Sequence, residues 1–390
     1  MRLRLLYLFR NLTRNPLRSA LTCAAVALPI IIFVLSESVV EGVDTALDRA
    51  ALQLRLAVVN KSSIINPLPV GHRLKIESLD PTHQRIIAVC GLRWIGGKLD
   101  NDPRPLMTLG VDADTFLQTF PEYELTPAER SAWDRDHQAL IIGKGVHEQF
   151  HWNVGDKVTI NPSVPPYTPM QFNVVAIGND NQDPMNNFFH LQYLDEETKR
   201  ARMPSDVVSF YYVKTGSRAD LDYYKGAIDA LFANSSDATA TQDEKAFAMQ
   251  FITQQFDLPK NLRILSFVTV FVAIMAAANT MSMNFRDRFA EYATLKSLGF
   301  PANFVVSLVQ VESLALCGVG GVLGAFLPWF AFNLTPLKSV TVPLIQHLTI
   351  LPATCGGAIV IGITIGLLAG LAPSVIALRL RVVDALRMLE

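Results

Sequence analysis

The pentapeptide His147-Glu148-Gln149-Phe150-His151 is the stretch most suggestive of catalysis. In zinc proteases this spacing places two metal-binding histidines on one helix face, with the glutamate as general base. Here the helix starts no earlier than Lys144, and a turn at 153–156 ends it, so it is very short. We therefore predict a surface helix and no metal site, with a membrane zinc protease as the alternative. A third ligand would have to come from residues on no clear second helix: His190, Glu196 or Glu197.

The sequence contains no nucleotide-binding motif. Gly97-Lys98 is followed by Leu99, and the fifth residue before Gly97 is Leu92, so the phosphate-binding pattern G-x-x-x-x-G-K-[ST] is not met. The nucleophile elbow G-x-S-x-G does not occur either. We predict no catalytic residues in this chain, and ATP hydrolysis, where it is involved, must take place in a partner.

Glu312 is an acid inside an otherwise uncharged run from Phe304 to about Asn333. It lies twelve residues past Phe300, about 15 to 18 Å along a helix. A carboxylate at such depth indicates a function by default. Proton transport is one reading, and a hydrogen bond to a neighbouring helix or to the chain's own cytoplasmic end is the reading we favour. Asn279 is a second polar residue within an apolar run.

A short charged segment, 286–302, separates two apolar runs and is predicted to form a cytoplasmic coupling helix closed by Gly299 and Pro301. Its apolar residues recur at helical spacing and could insert into the groove of a partner. An ordinary surface loop is the alternative. The charged members are Arg286, Arg288, Glu291 and Lys296, and the apolar members are Phe289, Tyr292 and Leu295.

Four runs are long and apolar enough to position these residues in a bilayer. The chain has 390 residues, of which 50% are hydrophobic, and its mean hydropathy is +0.27. The first run exceeds a signal-peptide core and lacks a small-x-small cleavage site, so we interpret it as an uncleaved anchor rather than a cleaved signal peptide. The predicted spans are 19–41, 263–285, 303–334 and 348–378.

The charge distribution predicts the orientation of these spans. The block from 42 to 263 has 22 basic and 28 acidic residues, whereas the pieces 1–18, 286–302 and 379–390 are net basic. By the positive-inside rule, both termini and the segment 286–302 lie in the cytoplasm, and 42–262 and the loop 335–347 lie outside. Residues 1–18 read as an amphipathic interfacial helix, with a disordered basic tail as the alternative. The net charge of −1 gives no indication of nucleic-acid binding.

The block 42–262 has the pattern of a large α+β domain with stalk helices at both ends. Short apolar strands alternate with helical patches, and a composition shift at 112–122 leaves a seam between two lobes open. Cys90 is its single cysteine, so no disulfide forms within it. The fold class predicted is a membrane protein with four transmembrane helices and an α+β extracytoplasmic domain between the first two.

Small residues are frequent in the last two spans. In lipid such residues allow close helix packing, within or between subunits, although glycine is also common in membrane helices for no special reason. The glycines assigned to packing are Gly320, Gly321 and Gly324 in the third span and Gly366 and Gly370 in the fourth.

Three stretches of the C-terminal half resemble the FtsX-like permease family, the permease subunits of MacB/LolC-type ABC transporters. The arrangement of one span, a large domain and three spans extends the resemblance to nearly the whole chain. Asn279-Thr280-Met281 with Arg288, Glu291 and Leu295-Lys296-Ser297-Leu298-Gly299 resembles N-x-M … R-x-x-E-I-G-x-L-K-A-L-G. Glu312-Ser313-Leu314 with Gly320, Gly321 and Gly324 resembles E-x-x-x-L … GG-x-x-G, and Gly370-Leu371-Ala372-Pro373 with Asp384-Ala385-Leu386-Arg387 resembles G-x-x-P-A … P-x-x-A-L-R.

The chain departs from this pattern at several places. Tyr292-Ala293 replaces Ile-Gly, Ser374 stands where alanine is favoured, and Val383-Asp384 stands where proline is common. The segment 142–156 resembles part of the family's MacB-like periplasmic core domain, in which the histidine pair is not a metal site.

The resemblance implies a permease without cofactors of its own, in a bacterial inner membrane. A separate ABC ATPase subunit would bind ATP and Mg and receive the coupling helix in a groove. A second permease copy, membrane lipids and a periplasmic adaptor are the further partners implied. The implied activity is export or extraction of an amphiphilic cargo (lipid, lipoprotein, peptide or drug) by mechanotransmission. Activation of a periplasmic hydrolase or sensor, without transport, is the alternative.

Overall fold

The computed structural model describes residues 16–179, 183–255, 258–335 and 348–379. The predicted amphipathic helix up to residue 15, the loop at 336–347 and the tail from 380 lie outside the described residues. The described residues group into two compact units. We call residues 43–255 the inserted domain and the remainder the membrane unit.

Among the residues that the structure describes, four helices are long and apolar enough to cross a membrane. Helix α1 continues without a break beyond its apolar part and contains Pro29. Together with the α+β inserted domain, these helices confirm the predicted fold class. Their bounds are Pro16–Leu52 (α1), Leu258–Asp287 (α9), Ala302–Leu334 (α11) and Pro352–Arg379 (α12), and the short helix α10 is Phe289–Ser297.

The described residues of the inserted domain form a nine-stranded mixed sheet with the order β11-β1-β10-β3-β4-β8-β5-β7-β6. A separate two-stranded ladder pairs β2 with β9. The strands are Arg55–Asn60 (β1), Leu68–Pro69 (β2), Ile86–Trp94 (β3), Met107–Val111 (β4), Ala139–Ile142 (β5), Lys157–Ile160 (β6), Met170–Ile177 (β7), Asn186–His190 (β8), Val207–Val208 (β9), Phe210–Thr215 (β10) and Thr239–Asp243 (β11).

Helices cover both faces of this sheet, so neighbouring residues of one strand belong to different hydrophobic cores. Leu140 packs in one core and Ile141 in the other, and Phe189 and Phe188 divide in the same way. Burial on both faces explains why β1 and β5 are buried at every position. The helices are His72–Glu77 (α2), Ala113–Thr119 (α3), Pro127–Arg135 (α4), Lys144–Phe150 (α5), Leu191–Arg200 (α6), Arg218–Phe232 (α7) and Glu244–Gln255 (α8).

The possible boundary between two lobes at 112–122 is not found in the structure. Strand β4 ends at Val111 and pairs in parallel with β8, from Met107 opposite Asn186 to Val111 opposite His190. The sheet therefore runs through this point, and the shift in composition reflects helix α3 and the loop after it rather than a domain boundary.

Candidate functional site

The connecting segment, residues 286–300, forms a sharp turn between two membrane helices. Helix α9 ends at Asp287, and Arg288 leaves the helical conformation with φ −109° and ψ 15° before α10 begins. Gly299 has φ +89°, which glycine adopts without strain, and the amide of Phe300 donates to the carbonyl of Leu295 over 3.2 Å. Pro301 then precedes the first turn of α11.

Arg288 forms an ion pair with the intramembrane acid Glu312. Its Nη1 donates to Oε1 over 3.1 Å and to Oε2 over 3.0 Å. The two side chains are only 14% and 10% exposed. A carboxylate in an apolar helix is costly to bury alone, and a guanidinium that contacts both oxygens offsets much of that cost. Of the two interpretations of Glu312, the structure shows a contact with the chain's own turn.

The apolar side of α10 packs inside the chain. The rings of Tyr292 and Phe285 stack with centroids 5.1 Å apart, and Tyr292 is 2% exposed. Phe289 and Leu295 are partly buried against the same cluster, which also contains Val305. From the sequence, Phe289, Tyr292 and Leu295 were expected to be able to enter a partner's groove. In this structure Tyr292 is buried in a core between α9, α10 and α11, and Phe289 and Leu295 each keep a partly exposed side.

Lys296 fixes the other end of α10. Its Nζ donates to the backbone carbonyl of Ala377 in the last turns of α12, over 2.9 Å. Carbonyls near a helix C-terminus have no partner within the helix, and they carry the negative end of its dipole. Helix α10 is thus tied to α11 through Arg288 and to α12 through Lys296.

The side of the connecting segment that remains exposed differs from the one the sequence suggested. Leu298 is 71% exposed and Phe300 is 42% exposed, and Arg286 is also exposed. Glu291 is half-buried. At 3.6 residues per turn, Leu298 lies about 120° around the helix axis from Tyr292. The sequence did not single out Leu298 and Phe300 as exposed contact residues, because they lie outside the apolar face formed by Phe289, Tyr292 and Leu295. That face is the one that packs inside the chain.

The glycines assigned to packing lie at helix crossings within this chain. A Cβ built on Gly321 would be 3.1 Å from Cα of Gly362, so α11 and α12 approach at backbone contact. On Gly324 it would be 2.8 Å from the carbonyl oxygen of Ala27 in α1. Such contacts leave no room for a side chain. Gly320 likewise meets Cys23 and Val26, Gly366 meets Ser313, Leu314 and Cys317, and Gly370 meets Gln310.

Side-chain hydrogen bonds add to these crossings. The hydroxyl of Ser313 donates to the carbonyl of Gly366 over 2.7 Å, and the amide of Gln310 donates to the carbonyl of Leu367 over 2.8 Å. These bonds were not expected from the sequence, since a helical serine usually bonds within its own helix. By contrast, Asn279 is exposed on the surface of α9.

The histidine pair of the inserted domain does not share a helix face. Helix α5 ends at Phe150, and His151 follows in the left-handed region with φ +57°. Nδ1 of His147 lies 2.6 Å from the carbonyl oxygen of Trp152, so this nitrogen carries the proton and donates it. Within the described residues, no group of three His, Cys, Asp or Glu is placed to hold a metal ion.

Comparison with known proteins finds similarity in the C-terminal part of the chain. Residues 263–382 match the family model described as FtsX-like permease C-terminal. The uncharacterized ABC transporter permease YvrN of Bacillus subtilis (strain 168) is 30% identical over 109 residues. That alignment covers 28% of this chain and 25% of the relative.

Three solved structures show similarity over about half of this chain. The periplasmic region of MacB from Actinobacillus actinomycetemcomitans gives a TM-score of 0.34 at 10% identity, over 51% of this chain and 92% of that one. The extracellular domain of the ABC-type transporter YknZ from Gram-positive bacteria gives 0.34 at 9% identity, over 48% and 99%. A domain of a putative permease protein from Porphyromonas gingivalis gives 0.30 at 12% identity, over 48% and 85%.

Proposed function

We propose that this chain, whose residues 263–382 carry an FtsX-like permease C-terminal domain, is the permease subunit of an ABC transporter driven by a separate ATPase. The observation that carries the proposal is the double attachment of α10, through Arg288 to Glu312 and through Lys296 to Ala377. A force applied to this short helix reaches two membrane helices at once. A helix that transmits motion from a partner to the membrane helices needs such attachments.

The ATPase would contact the exposed side of the connecting segment. Leu298 offers a projecting apolar side chain, and Arg286 offers a positive charge twelve residues earlier in the same segment. Many protein interfaces have an apolar core with a polar rim. In this account Tyr292 and Phe289 support α10 from behind rather than entering the partner. ATP and Mg would be bound by the ATPase, and the predicted orientation places this surface in the cytoplasm.

Motion would pass from α10 through the glycine crossings to α1. Helix α11 contacts α12 at Gly321 and α1 at Gly324, with no space between the helices at either crossing. Displacement of α11 would therefore displace α12 and α1 with it. Helix α1 continues to Leu52, and strand β1 of the inserted domain begins three residues later at Arg55. Repeated cycles of ATP binding and hydrolysis would then move the inserted domain, which is the mechanotransmission proposed here.

A second permease copy is the partner proposed within the membrane. Asn279 interrupts the exposed apolar surface of α9, next to Met275 and Met283 at helical spacing. An amide facing lipid lacks hydrogen-bond partners, whereas two such helices could satisfy each other's amides. The cargo proposed is amphiphilic, taken from the inner membrane or the periplasm, with a periplasmic adaptor as a further partner.

The test replaces Leu298 with aspartate and measures how much ATPase purifies with the tagged permease. Leu298→Asp should reduce the bound ATPase at least about ten-fold, which corresponds to about 1.4 kcal/mol. Leu334→Asp is the matched control, because Leu334 is 63% exposed at the other end of α11 and should have no effect. Equal recovery of the ATPase with both variants would contradict the proposed docking surface.

A further inference from the structure

Arg55 is a buried arginine at the point where the chain enters the sheet of the inserted domain. It is the first residue of β1, three residues after α1 ends, and it is only 4% exposed. An arginine is seldom buried unless its five donors find acceptors. The contacts of this guanidinium therefore show what it holds together.

The guanidinium joins two carboxylates that come from distant parts of the chain. Its Nε and Nη2 donate to the two oxygens of Glu244 over 2.7 and 2.8 Å, in a bidentate pair. Its Nη1 donates to Glu122 over 2.7 Å and to the carbonyl of Thr119 over 3.2 Å. The ring of Phe120 lies 4.4 Å from the guanidinium carbon. All three nitrogens of the guanidinium thus donate a hydrogen bond.

Glu244 is the first residue of α8, the helix through which the chain leaves the inserted domain. Arg55 thereby connects the entry and the exit of the domain directly. The neighbouring strands add to this connection, since Leu56 of β1 lies opposite Asp243 of β11. Nζ of Lys245 also contacts Asp48 of α1 over 2.6 Å. The Lys245–Asp48 pair is exposed and contributes little by itself, whereas the Arg55 cluster is buried.

The buried charges of this cluster contribute more to fixing the positions of β1 and α8 than to the free energy of unfolding. Burial raises the pKa of Glu244, and the nearby Arg55 opposes that rise. Burial alone would lower the pKa of Arg55. The two carboxylates, Glu244 and Glu122, raise this pKa by more than burial lowers it, so the guanidinium remains charged. A buried ion cluster is seldom more stabilising than apolar residues of the same size. What the planar fork does provide is a defined angle between the groups that it binds.

We propose that Arg55 is a positioning residue that locks the entry and exit of the inserted domain, β1 and α8, into one rigid joint. Movement of either connecting helix then moves the sheet as a whole, instead of changing the angle between the two connections. The joint itself follows from the contacts of Arg55, and its use in transport rests on the proposed function.

The test measures the distance between spin labels on the full-length chain in lipid nanodiscs. The labels are placed at Leu52→Cys and Met249→Cys, two exposed positions on α1 and α8, after the four native cysteines are replaced by alanine. The unmodified joint should give one narrow distance distribution. Arg55→Lys retains the charge but loses the fork, and it should broaden the distribution at least about two-fold. Arg55→Met should broaden it further.

Controls separate the joint from general destabilisation. Glu244→Gln should broaden the distribution more than Glu122→Gln, because Glu244 accepts two bonds from Arg55 and Glu122 accepts one. Arg85→Met should leave the width unchanged, since Arg85 is 63% exposed and its carboxylate partner is 3.8 Å away. If Arg55→Met does not fold, Arg55→Lys and Glu244→Gln decide the matter.

An unchanged width in Arg55→Lys and Glu244→Gln would overturn the joint, as would a broad distribution in the unmodified chain. The width is measured without an ATPase, so it is independent of the proposed function. Failure of the ATPase to bind the unmodified chain would count against the proposed function alone.

Discussion

At the scale of single residues, the partner of Glu312 is the most informative feature of the membrane unit. The sequence singled out both Glu312 and Arg288 but did not predict that they pair, since Arg288 lies 24 residues earlier and across a turn. Periodicity along one helix indicates which side chains share a face, but it does not show how the chain folds back after a turn. The buried ion pair agrees with the favoured interpretation of Glu312, a bond to another part of its own chain, rather than with the alternative of proton transport.

The ion pair predicts a non-additive pattern of stability in variants. Arg288→Met leaves the Glu312 carboxylate buried without its counter-ion and should destabilise the membrane unit by about 3 to 5 kcal/mol. The double variant Arg288→Met, Glu312→Met removes both charges and should recover most of that loss. Thermal unfolding of the purified protein in detergent measures both. Additive losses in the double variant would show that the two residues act separately.

A second prediction at this scale concerns pH and His190 in the inserted domain. Burial lowers the pKa of His190, and the nearby His137 lowers it further. Below about pH 6.5 the unfolded chain takes up a proton that the folded His190 does not bind, so stability falls as the pH falls through that range. His190→Gln should flatten the dependence of the melting temperature between about pH 7 and pH 5.

The ring of Trp133 lies 4.3 Å from that of His190, so tryptophan fluorescence can follow this transition. His83→Asn serves as the control, because His83 is exposed and its left-handed backbone conformation suits asparagine. A pH dependence that is unchanged in His190→Gln but reduced in His83→Asn would refute the assignment.

At the scale of elements, we predict that two glycines of α11 differ in their tolerance of a larger side chain. Gly324→Leu would place a side chain against the backbone of Ala27 and should prevent α1 from packing, with loss of folded protein in membranes. Gly318→Leu, on the same helix, meets no atom within 4 Å and should be tolerated. Yield and monodispersity after detergent extraction measure the difference. Equal yields would mean that the α1–α11 crossing is not needed for the fold.

The elements that the sequence predicted well are those with a clear apolar period. The apolar run at 139–142, between a helical patch and a glycine, predicts a strand, and strand β5 is found at Ala139–Ile142. The polar segment 235–242 predicts a loop, whereas strand β11 is found at Thr239–Asp243. Its polar side chains suit an edge strand that pairs only with β1, so composition alone did not reveal it.

The position of the short helix was predicted from the sequence, but the side on which its apolar residues pack was not. The position of a short helix between two spans follows from a charged segment between apolar runs. Its orientation does not, because Phe289, Tyr292 and Leu295 suit a partner's groove and an internal core equally well. Burial of Tyr292 against Phe285 decides between them, and that contact depends on how α9 and α11 converge.

At the scale of the whole molecule, the proposal concerns how motion passes along the chain. We propose that a short helix attached to α11 and α12 receives motion from an ATPase and passes it to the inserted domain through α1. Each step depends on contacts between groups that are far apart in sequence, such as Lys296 with Ala377 and Gly324 with Ala27. Loss of either attachment of α10 should therefore separate ATP hydrolysis from movement of the inserted domain.

The most direct measurement is the distance between spin labels at Ile65→Cys in two copies of the permease, within the complex with its ATPase and with the native cysteines replaced. Ile65 is 87% exposed in the inserted domain. The account predicts that this distance changes on ATP binding in the otherwise unmodified complex and not in Arg288→Met, Glu312→Met, although the ATPase remains bound. A distance that ignores ATP in the unmodified complex, or that still responds in the double variant, would contradict it.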